Sequence, residues 1–162
     1  MLDPKHFREY VVRPTLAYLG VTYASPAAEN LVVGTALMES DLTWLQQHGA
    51  GPARGLFQIE PRTHEDIYAN YFPGNFFLHQ RVDALLAPWP TRTEQLRTNL
   101  AYATAICRVI YYRSPIQLPP DPDDIAGLAS VYKRVYNTVQ GAADPADFIR
   151  KYRAAFPEVA VA

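Results

Sequence analysis

Apolar residues recur at helical spacing through most of the chain, and the interruptions fall at proline and glycine. Residues 4–19 carry Phe7, Val11 and Leu19 on one side, with Gly20 as the stop. Pro14 lies inside this segment and predicts a kink or a split, because proline offers no N–H and its ring crowds the preceding turn. Residues 26–39 contain the run Leu31-Val32-Val33-Gly34-Thr35-Ala36-Leu37-Met38, and a helix apolar all round belongs in the interior. The periodicity then fails over 40–60, where Gly49, Gly51, Pro52 and Gly55 separate short runs at 43–47 and 56–59. That pattern predicts a loop or a small irregular hairpin. Short helices follow over 62–71 and 76–86, parted by Pro73-Gly74, and Pro88, Pro90 and Thr91 make a linker. The longest helix is expected over 93–113, with Leu96, Leu100, Ala103, Cys107 and Ile110 at helical spacing. A stiff connector at 115–122 leads to helices over 122–137 and 145–156, the last closed by Pro157.

Fourteen prolines in 162 residues exceed the usual share of about 5%, and punctuation accounts for part of the excess. Asp3-Pro4, Ser25-Pro26, Asp121-Pro122 and Asp144-Pro145 each pair a capping residue with proline, which is favoured at the first helical position. The expectation is one mainly α-helical domain spanning 1–162, with a Gly-rich insertion early in the chain and no internal repeat.

Composition narrows the function classes. A hydrophobic share of 49% and an aromatic share of 12% suffice for a real core, which excludes disorder. A net charge of −1 gives no reason to expect nucleic acid as a partner. The apolar runs are too short for membrane insertion. A lone Cys107 excludes an internal disulfide and a thiolate cluster, and within an apolar helix it reads as an inert core thiol. The N-terminal stretch MLDPKHFREY carries charge from its third residue and has no apolar segment of the secretory type, so cytoplasmic synthesis without a signal peptide is expected. No cofactor is expected, and the glycines at 49–55 lack the lysine-threonine sequel of a phosphate loop. No metal is expected either: His48, Glu60 and His64 fit no standard zinc spacing. The chain is expected to be a monomer.

The stretch 39–64, ESDLTWLQQHGAGPARGLFQIEPRTH, carries the candidate chemistry. Glu39 closes the apolar helix. Partial desolvation and the negative end of the helix dipole both favour its protonated form, which a general acid needs. The bland alternative is a solvated glutamate in a last helical turn. Here Glu39-Ser40, the run Gly55-Leu56-Phe57-Gln58-Ile59 and the later pair Tyr136-Asn137 occur in order. On these residues the chain resembles the lysozyme-like superfamily, nearest to goose-type lysozymes and soluble lytic transglycosylases. Glu60, Thr63 and His64 fall where the goose-type pattern has an acidic residue and a Ser-His pair. Phe57 stands for the usual methionine, and in the third motif Thr138 replaces alanine while the glycine is delayed to Gly141.

The resemblance implies a lysozyme-like helical fold and a peptidoglycan substrate, cleaved between N-acetylmuramic acid and N-acetylglucosamine. Glu39 is then the general acid. Glu60 either positions a water for inverting hydrolysis or merely favours the start of the helix after Pro61. Without a second carboxylate the product is a 1,6-anhydro end. Gln58, Tyr136 and Asn137 are expected in the cleft, Ser40 near the acid, and Trp44, Tyr68, Tyr71 and Tyr132 are candidate sugar platforms. A domain of this kind without signal or disulfides resembles phage enzymes, either holin-released endolysins or virion-borne lysins. Two alternatives stay open: a non-catalytic lysozyme-like module in a phage particle or secretion apparatus, and a relative that cleaves chitin or chitosan.

Overall fold

A computed structural model describes residues 1–137 and 142–158. Thr138 and Gly141 of the loosened third motif lie outside the described residues. The described chain is mainly α-helical. In order it forms α1 (Pro4–Phe7), a π turn (Arg8–Val12), α2 (Arg13–Leu19), α3 (Pro26–Ser40), α4 (Pro61–Asp66) running into a π turn (Ile67–Tyr71), and α5 (Phe76–Asp83). Then come α6 (Gln95–Thr98), α7 (Leu100–Tyr112), α8 (Ile125–Tyr132) with a π turn (Lys133–Asn137), and α9 (Pro145–Ala155).

Helix α3 is the centre of the molecule. Leu31, Val32, Val33, Ala36 and Leu37 are all buried, and the helix packs against α7, α8 and α9. Its close approach to α9 depends on Gly34, where a Cβ would collide with the Phe148 ring. The acid at the end of α3 is therefore carried by a largely buried helix.

Pro14 lies in the second part of a segment that is divided into α1 and α2. A π turn stands just before it, with the Arg13 N–H bonded to Arg8 O. The wider turn accommodates a residue that cannot donate and whose ring would press on the turn before it. The capping pairs divide. Asp3, Ser25 and Asp144 accept hydrogen bonds from first-turn amides as expected. Asp121 does not cap a helix: its carboxylate takes the Asp123 N–H in a turn, and Asp124 caps α8 instead. That moves the start of this helix from 122 to 125.

The single helix expected over 93–113 is two helices. Asn99 adopts an extended backbone between them, and its side chain caps α7 by accepting from Tyr102 N at 3.0 Å. The same amide donates to Leu85 O at 2.8 Å and Gln95 Oε1 at 3.0 Å. Apolar spacing persists across the break, so periodicity alone conceals it. The insertion at 40–60 holds only isolated antiparallel bridges, Gln46 with Arg54 and Arg54 with Ile59, and one 3-10 turn (His48–Ala50).

Candidate functional site

The 40–60 segment is shaped by residues that leave the ordinary helical and extended regions. Asp41 ends α3 in the left-handed conformation, with φ 51°, and Leu42 follows with φ 52°. This double turn reverses the chain directly after Glu39-Ser40. The Ser40 hydroxyl is buried and donates to Leu56 O at 2.7 Å, with Ala36 O 3.1 Å away. It thus clamps the 55–59 run beneath the end of α3. Gly55 has φ 74° and its Cα faces the Leu96 carbonyl, which leaves no room for a Cβ. Gln58 also takes a left-handed backbone, φ 47°, and its side chain amide donates to Gly55 O at 2.9 Å. Such strain in a non-glycine residue costs of order 1–3 kcal/mol and persists only where surrounding contacts impose it.

This arrangement opens a cleft of about 610 Å³ that brings Glu39, Gln58, Glu60, Tyr136 and Asn137 together. Gln47, His48, Thr63 and Arg113 share the lining. The Glu39 carboxyl is half-buried, and burial raises its pKa above the ordinary carboxylate value. Two effects oppose the rise: a hydrogen bond from Tyr132 Oη to Glu39 Oε1 at 2.7 Å, and the positive charge of Lys151. Lys151 is itself held by Asp41 Oδ1 at 2.6 Å and Leu37 O at 3.1 Å. Glu39 Oε2 makes no hydrogen bond among the described residues and stays open to the cleft. The result is a carboxyl with one oxygen oriented from behind and the other free to meet a ligand.

Glu60 stands at the N-terminal boundary of α4 but makes no side-chain capping bond, and it is exposed within the cleft lining. The helix-capping alternative therefore has no hydrogen bond behind it. Tyr136 donates to Phe57 O at 2.7 Å and lies against Tyr111 and Tyr132 with ring centres 5.4 and 6.2 Å apart. Asn137 accepts from Lys133 Nζ at 2.9 Å.

The other residues singled out in the sequence lie elsewhere. Ser40 is beneath the cleft rather than on it, with its one proton directed at the Leu56 carbonyl. Tyr132 is 2% exposed and offers no ring face to a sugar; its hydroxyl is the partner of the acid. Trp44 is exposed and packs edge-on against His48 at 4.6 Å, which places it at the rim. Tyr68 belongs to a separate polar chain behind α4, with the Arg92 guanidinium 3.5 Å above its ring, and Tyr71 lies in the adjoining π turn, outside the cleft lining. In that chain Tyr68 donates to Asp83 at 2.7 Å, so it accepts from Tyr102, which in turn accepts from His64 Nε2 at 2.6 Å. The order of donors assigns the proton of the neutral imidazole to Nε2.

The role of Tyr132 was the functional contact least visible in the sequence. The available signal was its position four residues before Tyr136 in VYKRVYN, which puts both rings near one face of a helix. Arg113 carried no signal, since it reads as an ordinary basic residue at a helix end. Among the described residues no group of three His, Cys, Asp or Glu side chains could hold a metal ion, and no helix is long and apolar enough to cross a membrane.

No family model, curated protein or solved structure matches this chain. The likeness to goose-type lysozymes therefore rests on the residues that carry it.

Proposed function

We propose that this chain is a glycosidase of the lysozyme-like class that cleaves the β-1,4 bond of peptidoglycan between N-acetylmuramic acid and N-acetylglucosamine, with Glu39 as general acid. The observation that carries the reading is the state of Glu39. It is half-buried, its pKa is raised by that burial, one oxygen is fixed by Tyr132, and the other opens on a cleft. A carboxylic acid whose proton is held more tightly than usual, with one oxygen open to a ligand, is suited to protonate a leaving glycosidic oxygen. The three motifs of the resemblance support the same reading, because Glu39, Gln58 and Tyr136-Asn137 meet at this cleft although they are far apart in sequence.

In this reaction Glu39 protonates the bridging oxygen as the glycosidic bond breaks, and positive charge develops on the muramoyl ring. Glu60, free of any capping bond, is the group available to hold a water against the opposite face. Hydrolysis by that water proceeds with inversion. If the muramoyl 6-hydroxyl closes on the anomeric carbon instead, the product is a 1,6-anhydro end and Glu60 has no part in bond formation. Gln58 and Asn137 supply amides for the N-acetyl groups. A domain of this kind would act on the wall after release by a holin or delivery on a virion.

The test is clearing of chloroform-permeabilised Gram-negative cells, wild type against Glu39→Gln, with mass spectrometry of the soluble muropeptides. Loss of a general acid costs roughly 10²–10⁴-fold, so the variant should clear at least a hundredfold more slowly. Equal clearing by both proteins refutes the catalytic role, and no clearing by either favours the non-catalytic module. Reducing ends would identify hydrolysis; only 1,6-anhydro ends would remove Glu60 from the mechanism.

A further inference from the structure

Outside the catalytic cleft lies a second cavity of about 520 Å³, lined in part by Thr22, Ser25, Arg108, Tyr112, Ser114 and Gln117. Arg108 projects from α7 and is only 6% exposed. Its Nε donates to Tyr23 O at 2.8 Å, and its guanidinium carbon lies 5.3 Å from the centre of the Tyr112 ring. Among the described residues no carboxylate pairs with it, and its two terminal nitrogens make no hydrogen bond. Those nitrogens are not sealed in the interior, and Arg108 is one of the residues that line the cavity. Burial lowers the Arg108 pKa, and the side chains that act on it through charge are a thiol and three phenols.

A guanidinium taken out of water without a counter-charge is expensive, and buried charges in proteins are as a rule paired. The rest of the cavity prepares for the missing partner. Its lining contains no acidic side chain. Ser25 Oγ already accepts from Ala28 N, and Ser114 Oγ accepts from Ile116 N, so each hydroxyl has its proton left to donate. Ser25 is also the N-cap of the fifteen-residue α3, so the positive end of that helix begins at a residue of the lining. Cation, hydroxyl donors and helix terminus agree in sign.

We propose that this cavity is a binding site for a small oxyanion, a carboxylate or phosphate group, held end-on by the two terminal nitrogens of Arg108 and by the Ser25 and Ser114 hydroxyls. With Nε committed to Tyr23, the outer edge of the guanidinium is the face left for two parallel bonds to oxygen, the geometry that arginine offers to carboxylates and phosphates. Clefts of roughly 300–1,000 Å³ take ligands up to drug size, so the oxyanion can be free or part of a larger molecule.

The test is a titration followed by the ¹⁵N–¹H signals of the Arg108 Nε and of the Ala27 and Ala28 amides. Inorganic phosphate and acetate are the separate probes, with ionic strength held constant by sodium chloride. The expected result is a saturable shift of these signals, with a rise in Tm that grows with the logarithm of the concentration of the bound probe. A response to phosphate alone assigns a phosphate ligand, and a response to acetate alone assigns a carboxylate. Arg108→Gln should weaken the response at least tenfold. Because that change also removes a bond to Tyr23, Gln117→Glu serves as the second variant: it alters an exposed side chain and places a carboxylate in the lining. It should fold normally and weaken phosphate or acetate binding by a similar factor. No saturable shift with either probe up to about 100 mM overturns the proposal. So does a response that survives Arg108→Gln or is untouched by Gln117→Glu. None of these readouts depends on wall cleavage, so this site and the glycosidase reading stand or fall separately.

Discussion

Glu39 is held between opposing influences, and its protonation state is their balance. Burial favours the neutral acid, whereas the Tyr132 hydroxyl and the Lys151 charge favour the carboxylate. Tyr132→Phe removes the hydrogen bond and keeps the ring that packs on Phe148 at 5.5 Å. The ionised form loses a stabilising donor, so the Glu39 pKa rises further. Under the glycosidase reading the alkaline limb of the rate profile reports loss of the acid's proton, so in the variant that limb should move to higher pH. Cell clearing measured across pH checks this, and a limb that stays put or moves down counts against Tyr132 as the partner that tunes the acid. The sequence pointed to Glu39 through its place at the end of an apolar helix. It did not point to the hydroxyl that tunes it, because the two residues are 93 positions apart.

At the scale of elements, the cleft depends on how the 40–60 segment is fastened to its neighbours. Ser40 joins it to α3, and Arg54 and Gln46 join it to α6 through Glu94 and Arg97. Gly55 allows the closest approach, because only a residue without a Cβ fits against the Leu96 carbonyl at φ 74°. Gly49 has a similar backbone, φ 71°, but a Cβ there would meet nothing. The two glycines separate strain from collision. Gly49→Ala should cost about 1 kcal/mol for the left-handed backbone alone, whereas Gly55→Ala should cost roughly 2–4 kcal/mol by adding a backbone clash. Urea denaturation of the two variants measures the difference, and equal losses would mean the segment does not need this close contact. A helix break at Asn99 is what exposes the Leu96 carbonyl region to Gly55, and that break was invisible in the apolar spacing. An asparagine inside a helical pattern can face solvent or cap a new helix, and only the contacts with Leu85 and Gln95 decide which.

For the molecule as a whole, the chain from buried His64 through Tyr102 and Tyr68 to exposed Asp83 links folding to pH. Burial, then the charges of Arg92 and Arg54, hold the His64 pKa down to about 4. An unfolded histidine titrates near 6.5. Between those values the unfolded chain binds the proton and the folded chain does not, so stability falls as pH drops from about 6.5 to about 4 and the loss is complete below that. The shift corresponds to about 3 kcal/mol as an upper figure. Urea midpoints at pH 7 and near pH 4.5 should show the wild type losing about 2 kcal/mol more than His64→Gln. Equal losses would mean that His64 is not kept neutral by the fold. What the sequence by itself determined was the local part of the structure: the helical class, three of the four proline-marked caps, the loop at 40–60 and the acid that ends α3. These follow from interactions within a few residues, where spacing and capping chemistry are readable along the chain. Tertiary structure alone decided which groups meet. It paired Tyr132 with Glu39, buried Ser40 beneath the cleft, split the helix at Asn99 and left Arg108 facing a cavity without a counter-charge. Each of these depends on packing between segments distant in sequence, where a residue's chemistry says what it can bond but not which partner is brought within reach.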